Sequence, residues 1–333
     1  MPPLNAHNEP AVPSATAPAG GSSACPACRS PGRFAFEAMD MMFGGSRRYR
    51  YLSCTECGAI YQSPMPGIEE IAGFYPQDYS LHQPPERGRP LGGLRRAVYR
   101  YRYGYAHLPV SGLFKPMAPL FARMRINGAI PFVQGGRLLD IGCGNGKYLL
   151  AMNRLGWQGT GLELSPKAVD ICRSAGLNVL QGELQGAAFD SETFDLVTAR
   201  QLIEHLPAPR EFVREVARIL KPGGCFALET PNSQALGRGW FGRYWFADEV
   251  PRHLVLFHPG NLKRLIEAQG LTLVSQRLDT SPKIVLNSWD YLTRNRRRPS
   301  RKRKLRRLLA RPYVALARLL GRGDMILQVY RKR

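Results

Sequence analysis

Three groups of residues in this 333-residue chain have the types and spacing that chemistry requires. Cys25-Pro-Ala-Cys28 and Cys54-Thr-Glu-Cys57 are two C-x-x-C pairs, and Gly58 follows the second. Each pair presents two thiolates from one tight turn, and two such turns joined by a hairpin complete a tetrahedral four-sulfur site suited to zinc. Four thiolates leave no open position, so the metal would be structural rather than catalytic. The second group is the run Leu138-Leu139-Asp140-Ile141-Gly142-Cys143-Gly144-Asn145-Gly146. Its three alternating glycines suit a sharp turn that a ligand approaches closely. It is not the dinucleotide fingerprint G-x-G-x-x-G, because Lys147 stands where the third glycine belongs. A carboxylate at Asp140 suits ammonium or hydroxyl donors, whereas a pyrophosphate favours amides. Glu163 and Glu183 follow downstream, the first placed for ribose hydroxyls and the second for an adenine amino group. The third group is Glu204-His205 before Pro207, where an imidazole can act as a base near neutral pH. The alternative there is a pair that only stabilises the turn.

Positioning these residues needs a strand before each turn. Short apolar runs predict strands at Arg137–Ile141, 159–163, Asn178–Gln181, 194–199, 225–229, 271–277 and 325–330, alternating with amphipathic stretches. Helices are expected over Lys147–Arg154, Pro166–Ser174 and 210–220, the last ended by Gly223 and Gly224. This is the pattern of βα units on a parallel sheet, whose ligands bind at the carboxyl ends of the strands. Residues 231–258 are long and aromatic for a connector and read as a lid or substrate wall, with His253 and His258 as secondary base candidates. The chain divides into a disordered leader (1–24), a cysteine module (25–63), a connecting region with interleaved tyrosines and arginines (64–135), and an α/β domain (136–333).

The composition, with 44% hydrophobic residues, is that of a globular protein. Two segments hold essentially all of the net charge of +22: residues 294–333 carry +15 and residues 85–125 carry +8. Such concentrated charge calls for an anionic partner. Within a basic insertion at 294–322, Leu305, Leu308, Leu309, Leu316, Leu319 and Leu320 fall at helical spacing among bases, with Pro312 as a kink or a second start. A basic amphipathic helix of this kind suits an anionic membrane surface, and the alternatives are packing on the sheet or binding nucleic acid. No apolar stretch reaches the roughly 18 residues of a spanning helix, and the leader lacks a signal pattern. These features predict a cytoplasmic protein, peripheral at the inner membrane face.

The run LLDIGCGNG…GLELS…FDLVTARQLIEHLPAPREFVREVARILKPGG…TPN resembles the class I S-adenosylmethionine-dependent methyltransferases, in particular the small-molecule branch with the ubiquinone-type O-methyltransferases. The resemblance implies a Rossmann-like seven-stranded sheet behind a small zinc ribbon. It implies that Asp140, Gly142, Cys143, Gly144 and Gly146 hold the methionine part of S-adenosylmethionine. Glu163 and Leu164 would then meet the ribose side, Glu183 and Leu184 the adenine, with Gln201 nearby, and the Glu-His pair matches the family at His205. The cysteine region also resembles the zinc-ribbon fronts of sugar C-methyltransferases, so O- and C-methylation of a small, nucleotide-linked or lipid-linked acceptor both stay open. The sequence allows two other readings, an RNA methyltransferase gripping phosphate with its basic segments and a non-catalytic zinc-ribbon interaction protein. Against nucleic-acid bases, Ala199-Arg200-Gln201-Leu202 lacks the Asn/Asp-Pro-Pro-aromatic box of many amino-methylating enzymes.

Overall fold

A computed structural model describes residues 24–75, 91–124, 126, 129–293, 308 and 310–333. The expected leader, apart from Ala24, and the basic stretch 294–307 lie outside the described residues. The cysteine module opens the chain with β1 (Gly32–Met39), β2 (Arg48–Cys54) and β3 (Ile60–Gln62), an antiparallel ribbon. The α/β domain follows with β4 (Arg137–Ile141), β5 (Gln158–Glu163), β6 (Asn178–Gln181), β7 (Phe194–Arg200) and β8 (Leu220–Pro231). After β9 (Val255–Leu256) come β10 (Leu271–Asp279) and β11 (Met325–Lys332).

Seven strands form one sheet in the order β10-β11-β8-β7-β4-β5-β6. β4 to β8 run parallel, and β11 is antiparallel to both β8 and β10. The four residues from Leu138 to Ile141 are all buried, as expected of a central parallel strand covered on both faces. The chain leaves β4 for β5 and β6 on one side and returns to β7 and β8 on the other. That reversal opens a crevice at the carboxyl ends of β4 and β7, where both the glycine turn and His205 begin. The expected seven-stranded architecture is present, with β11 inside the sheet between β10 and β8.

The helix Pro209–Ile219 buries Phe212, Val213, Val216 and Ile219 on one face. Its end differs from the expected one. Leu220 already adopts an extended conformation and opens β8, while Gly223, at a φ of 78°, lies inside that strand. The β7–β8 register shifts between Phe194 and Leu196, so these glycines absorb a bulge rather than stop a helix.

The connecting region is more integrated than a linker. Tyr99 and Tyr105 share a core with Leu138, Leu149 and Trp157, and the Trp157 indole donates to the Tyr105 hydroxyl at 3.1 Å. A three-helix cap, Leu236–Phe241, Pro282–Leu292 and Arg311–Leu319, encloses Trp245, Ile284, Tyr313 and Ala317. Pro312 sits in the first turn of the last helix, a position its fixed φ and missing N–H suit. Met325 pairs with both Pro231 and Asp279, which places the cap at the carboxyl end of β8. Among the described residues, no helix is long and apolar enough to cross a membrane.

Candidate active site

Gly142, Gly144 and Gly146 take φ values of 68°, 54° and 75°, the left-handed region that glycine enters without strain. Gly146 is also fixed by space, since a Cβ there would lie 2.4 Å from Leu177 and 2.9 Å from the Cys172 sulfur. The turn therefore presents bare backbone above β4 and leads straight into the helix Lys147–Arg154. Beneath it Asp140 is almost fully buried and accepts the Thr198 hydroxyl at 2.7 Å, and burial pushes its carboxyl up to about 6. Cys143 is buried beside the Gly161 backbone.

Glu163 ends β5 with one carboxylate oxygen accepting from the Gly144 amide at 2.9 Å and the other from Ser165 at 3.0 Å. A carboxylate offers about four lone-pair sites, so two remain for hydroxyl donors after these contacts. Leu164, next along the chain, is 59% exposed, an apolar surface beside that carboxylate on which a flat ring can stack. Leu184 is buried in the main core, while Glu183 and Gly186 form a turn through their backbones. Gln201 takes a φ of 53° just past β7, a strained conformation at the rim of the crevice, held by its amide bond to the Glu229 carbonyl. This donor set, glycine backbone with a carboxylate one strand over and an exposed apolar side chain, fits S-adenosylmethionine.

The other half of the crevice is built around Ile203–His205, a short 3-10 turn after β7. His205 Nδ1 lies 3.0 Å from the Arg252 carbonyl, which can only accept, so Nδ1 carries the proton and Nε2 keeps its lone pair. The Tyr75 hydroxyl meets the same Nδ1 at 2.8 Å. His253 repeats the arrangement, with Nδ1 2.9 Å from the Ala247 carbonyl, and the two rings meet edge to face at 4.7 Å. Burial pushes both imidazoles down to about 3, with His253 adding to the shift at His205. Glu204 is buried and accepts from the Thr230 hydroxyl at 2.8 Å, and desolvation pushes its carboxyl up to about 8. Glu204, His205 and His253 each bring one ligand atom within 4.8 Å of the others, close enough to share a proton or a cation.

Several residues that build this half have no local sequence signal. Arg252, fully buried, donates to both oxygens of Asp40 at 2.8 and 3.1 Å, to Glu249 at 3.1 Å and to the Phe74 carbonyl at 3.3 Å. Tyr51 of β2 donates to the His253 carbonyl at 2.8 Å. β9, two residues past His253, adds itself to the ribbon as its fourth strand. The ribbon thus packs on the segment that carries His253, and the chain just beyond it supplies Tyr75 to His205. His258, a candidate base, instead caps the helix Pro259–Glu267 and reaches the Cys57 carbonyl at 3.2 Å.

The four cysteines meet as the spacing predicts. Cys25 and Cys57 sulfurs are 3.6 Å apart, Cys28 and Cys54 are 3.3 Å apart, and all four lie within 4.8 Å of one another. The hydrogen bond from Cys25 holds Cys57 well below the usual thiol range. A set of four sulfurs at these separations fits a tetrahedral zinc ion.

The family model "Methyltransferase domain" matches residues 112–276, which include the glycine turn, Glu163, Glu204 and His205. The chain carries a class I S-adenosylmethionine-dependent methyltransferase domain. This methyltransferase domain is 38% identical over 150 residues to a ubiquinone biosynthesis O-methyltransferase of Xanthomonas oryzae pv. oryzae, covering 41% of this chain and 63% of that protein. The corresponding protein of Xanthomonas campestris pv. campestris is 37% identical over 131 residues, covering 35% of this chain and 54% of that protein. The chain thus spans about three fifths of the length of the curated relatives it matches. A crystal structure of a SAM-dependent methyltransferase from Archaeoglobus fulgidus overlays with a TM-score of 0.44 at 20% identity, covering 61% of this chain and 89% of that one. One from Mesorhizobium loti gives the same TM-score and identity over 61% of this chain and 94% of that one.

Proposed function

We propose that the protein methylates an acidic hydroxyl, phenolic or quinol in character, on a small or lipid-linked acceptor, with S-adenosylmethionine as donor and zinc held structurally by Cys25, Cys28, Cys54 and Cys57. One observation carries this reading: the glycine turn with Glu163 and the turn that carries His205, backed by the buried ring of His253, lie at the same carboxyl ends of the sheet. When bound, S-adenosylmethionine supplies a sulfonium methyl open to in-line displacement. Few groups of the protein need to react, because such a transfer is mainly a matter of alignment and of receiving one proton. Glu163 and the turn amides fix the donor side. On the acceptor side, His205 Nε2 accepts the hydroxyl's hydrogen bond, and the Arg252 carbonyl holds the ring in that tautomer.

Burial makes His205 a weak base, and a weak base works best on a hydroxyl that gives up its proton readily. A phenol or quinol meets that condition and a saccharide alcohol does not. The O-methyltransferase names of the relatives support the same direction. The test offers the purified protein methyl-labelled S-adenosylmethionine with a catechol, a nucleotide sugar and RNA. Label is expected in the catechol, and His205→Ala should lower that rate on the order of a hundredfold with donor affinity unchanged. Label confined to the sugar or to RNA would overturn the reading.

A further inference from the structure

The cap of Leu236–Phe241, Pro282–Leu292 and Arg311–Leu319 has a buried core but an unusual outer surface. Trp240 is 58% exposed and Trp289 is 52% exposed, whereas the chain's other two tryptophans, Trp157 and Trp245, are buried. Neither exposed ring is loose. Trp240 packs edge-on against Tyr313 at 5.5 Å, and Trp289 meets Phe241 at 6.5 Å in the same geometry. Leu292, Leu308, Leu316, Leu319 and Leu320 are exposed on the same three helices or directly beside them, Leu319 to 83%. Exposed apolar side chains gathered on three neighbouring helices mark a contact surface rather than scatter.

Charge identifies the partner. Between the second and third cap helices the sequence from 294 to 307 carries ten Lys or Arg and no acid, and both ends of that stretch are tethered to the cap. Arg311, Arg318 and Arg322 are exposed on the last helix and just after it. Tryptophan is amphipathic and favours the boundary of a bilayer, and bases beside it favour anionic headgroups. RNA would use the bases but leave Leu316, Leu319 and Leu320 without a role, so a bilayer accounts for more of the surface.

We propose that this face of the cap docks on an anionic phospholipid bilayer, with Trp240 and Trp289 at the headgroup level and Leu316, Leu319 and Leu320 at the acyl boundary. The cap sits at the carboxyl end of β8, the end of the sheet at which His205 lies. Docking therefore brings the mouth of the site to the lipid surface, which suits an acceptor ring carried on a lipid chain. That last step rests on the proposed acceptor; the docking face itself does not.

The test mixes the full-length protein with phosphatidylcholine vesicles, with and without phosphatidylglycerol, and follows co-sedimentation and tryptophan emission. Binding is expected only to the anionic vesicles, weakening with salt and shifting emission to the blue. Trp240→Phe and Trp289→Phe should each remove part of that shift, and Leu319→Glu should weaken binding on the order of tenfold. All three positions are at least half exposed, so the variants fold. A donor titration of each variant stays at the wild-type value, which separates failure of docking from failure of the methyltransferase reading. Absence of vesicle binding, wild-type binding in all three variants, or preference for single-stranded RNA would each overturn the proposal.

Discussion

Glu204, His205 and His253 carry the strongest pH signature of the site. The folded imidazoles sit near 3 against an ordinary 6.5, so between those values the unfolded chain binds more protons and stability falls as pH drops below 6.5. Glu204 is the reverse case: its folded value of about 8 lies above the ordinary 4.5, so the fold holds an extra proton and stability falls as pH rises through that window. Two imidazoles outweigh one carboxyl below 6.5 and only the carboxyl acts above it, so the cluster places a stability maximum near pH 6.5. Glu204→Gln should flatten the decline between pH 6.5 and 8 in denaturant titrations, and an unchanged decline would place its origin elsewhere. At this scale the sequence was informative where a motif is contiguous. Asp140, the three glycines and Glu163 could be read because strand, turn and next strand end follow in order. Arg252 and Tyr75 could not, because their roles depend on contacts with Asp40, Phe74 and His205, up to 212 residues away. His258 misled for the opposite reason, since an imidazole before Pro-Gly-Asn caps a helix as readily as it moves a proton.

Among the elements, the ribbon and the loop after β8 act as one. The ribbon's sheet is completed by β9, and Asp40 just after β1 pairs with fully buried Arg252. Removing one partner of a buried ion pair leaves an uncompensated charge, so Asp40→Ala should cost about 3 kcal/mol in urea unfolding, the lower end because Glu249 still reaches Arg252. A loss within the scatter of surface substitutions would show that the pair does not hold the ribbon. Cys54→Ser should lose the metal, measured as zinc per chain, and full zinc content would refute the four-sulfur site. β4 to β7 were legible to within a residue because each is a short run rich in apolar residues bounded by turns, whereas β8 begins at Leu220, five residues before the expected 225. β9 was not, since two residues carry no period and only the ribbon beside them makes them a strand. The end of Pro209–Ile219 was misplaced because paired glycines stop a helix or bulge a strand equally well, and pairing with β7 decided the matter.

For the molecule as a whole, the sheet order divides the labour. The proposed donor side belongs to β4 and β5 and lies within one contiguous stretch of the chain. The proposed acceptor side is assembled from the ribbon, the chain beyond it, the turn after β7 and the loop after β8, and the cap lies at the same end. The alternation of strands and helices foretold the first half. The second half is a product of tertiary packing, and no window of the sequence contains it. The central claim, that this fold binds S-adenosylmethionine on the β4 turn and Glu163, is tested most directly by titrating the full-length protein with S-adenosylmethionine in a calorimeter, beside Glu163→Ala. Saturable one-to-one binding is expected in the wild type, weakened on the order of a hundredfold in the variant. Absence of saturation in the wild type, or equal affinity in both proteins, would contradict it.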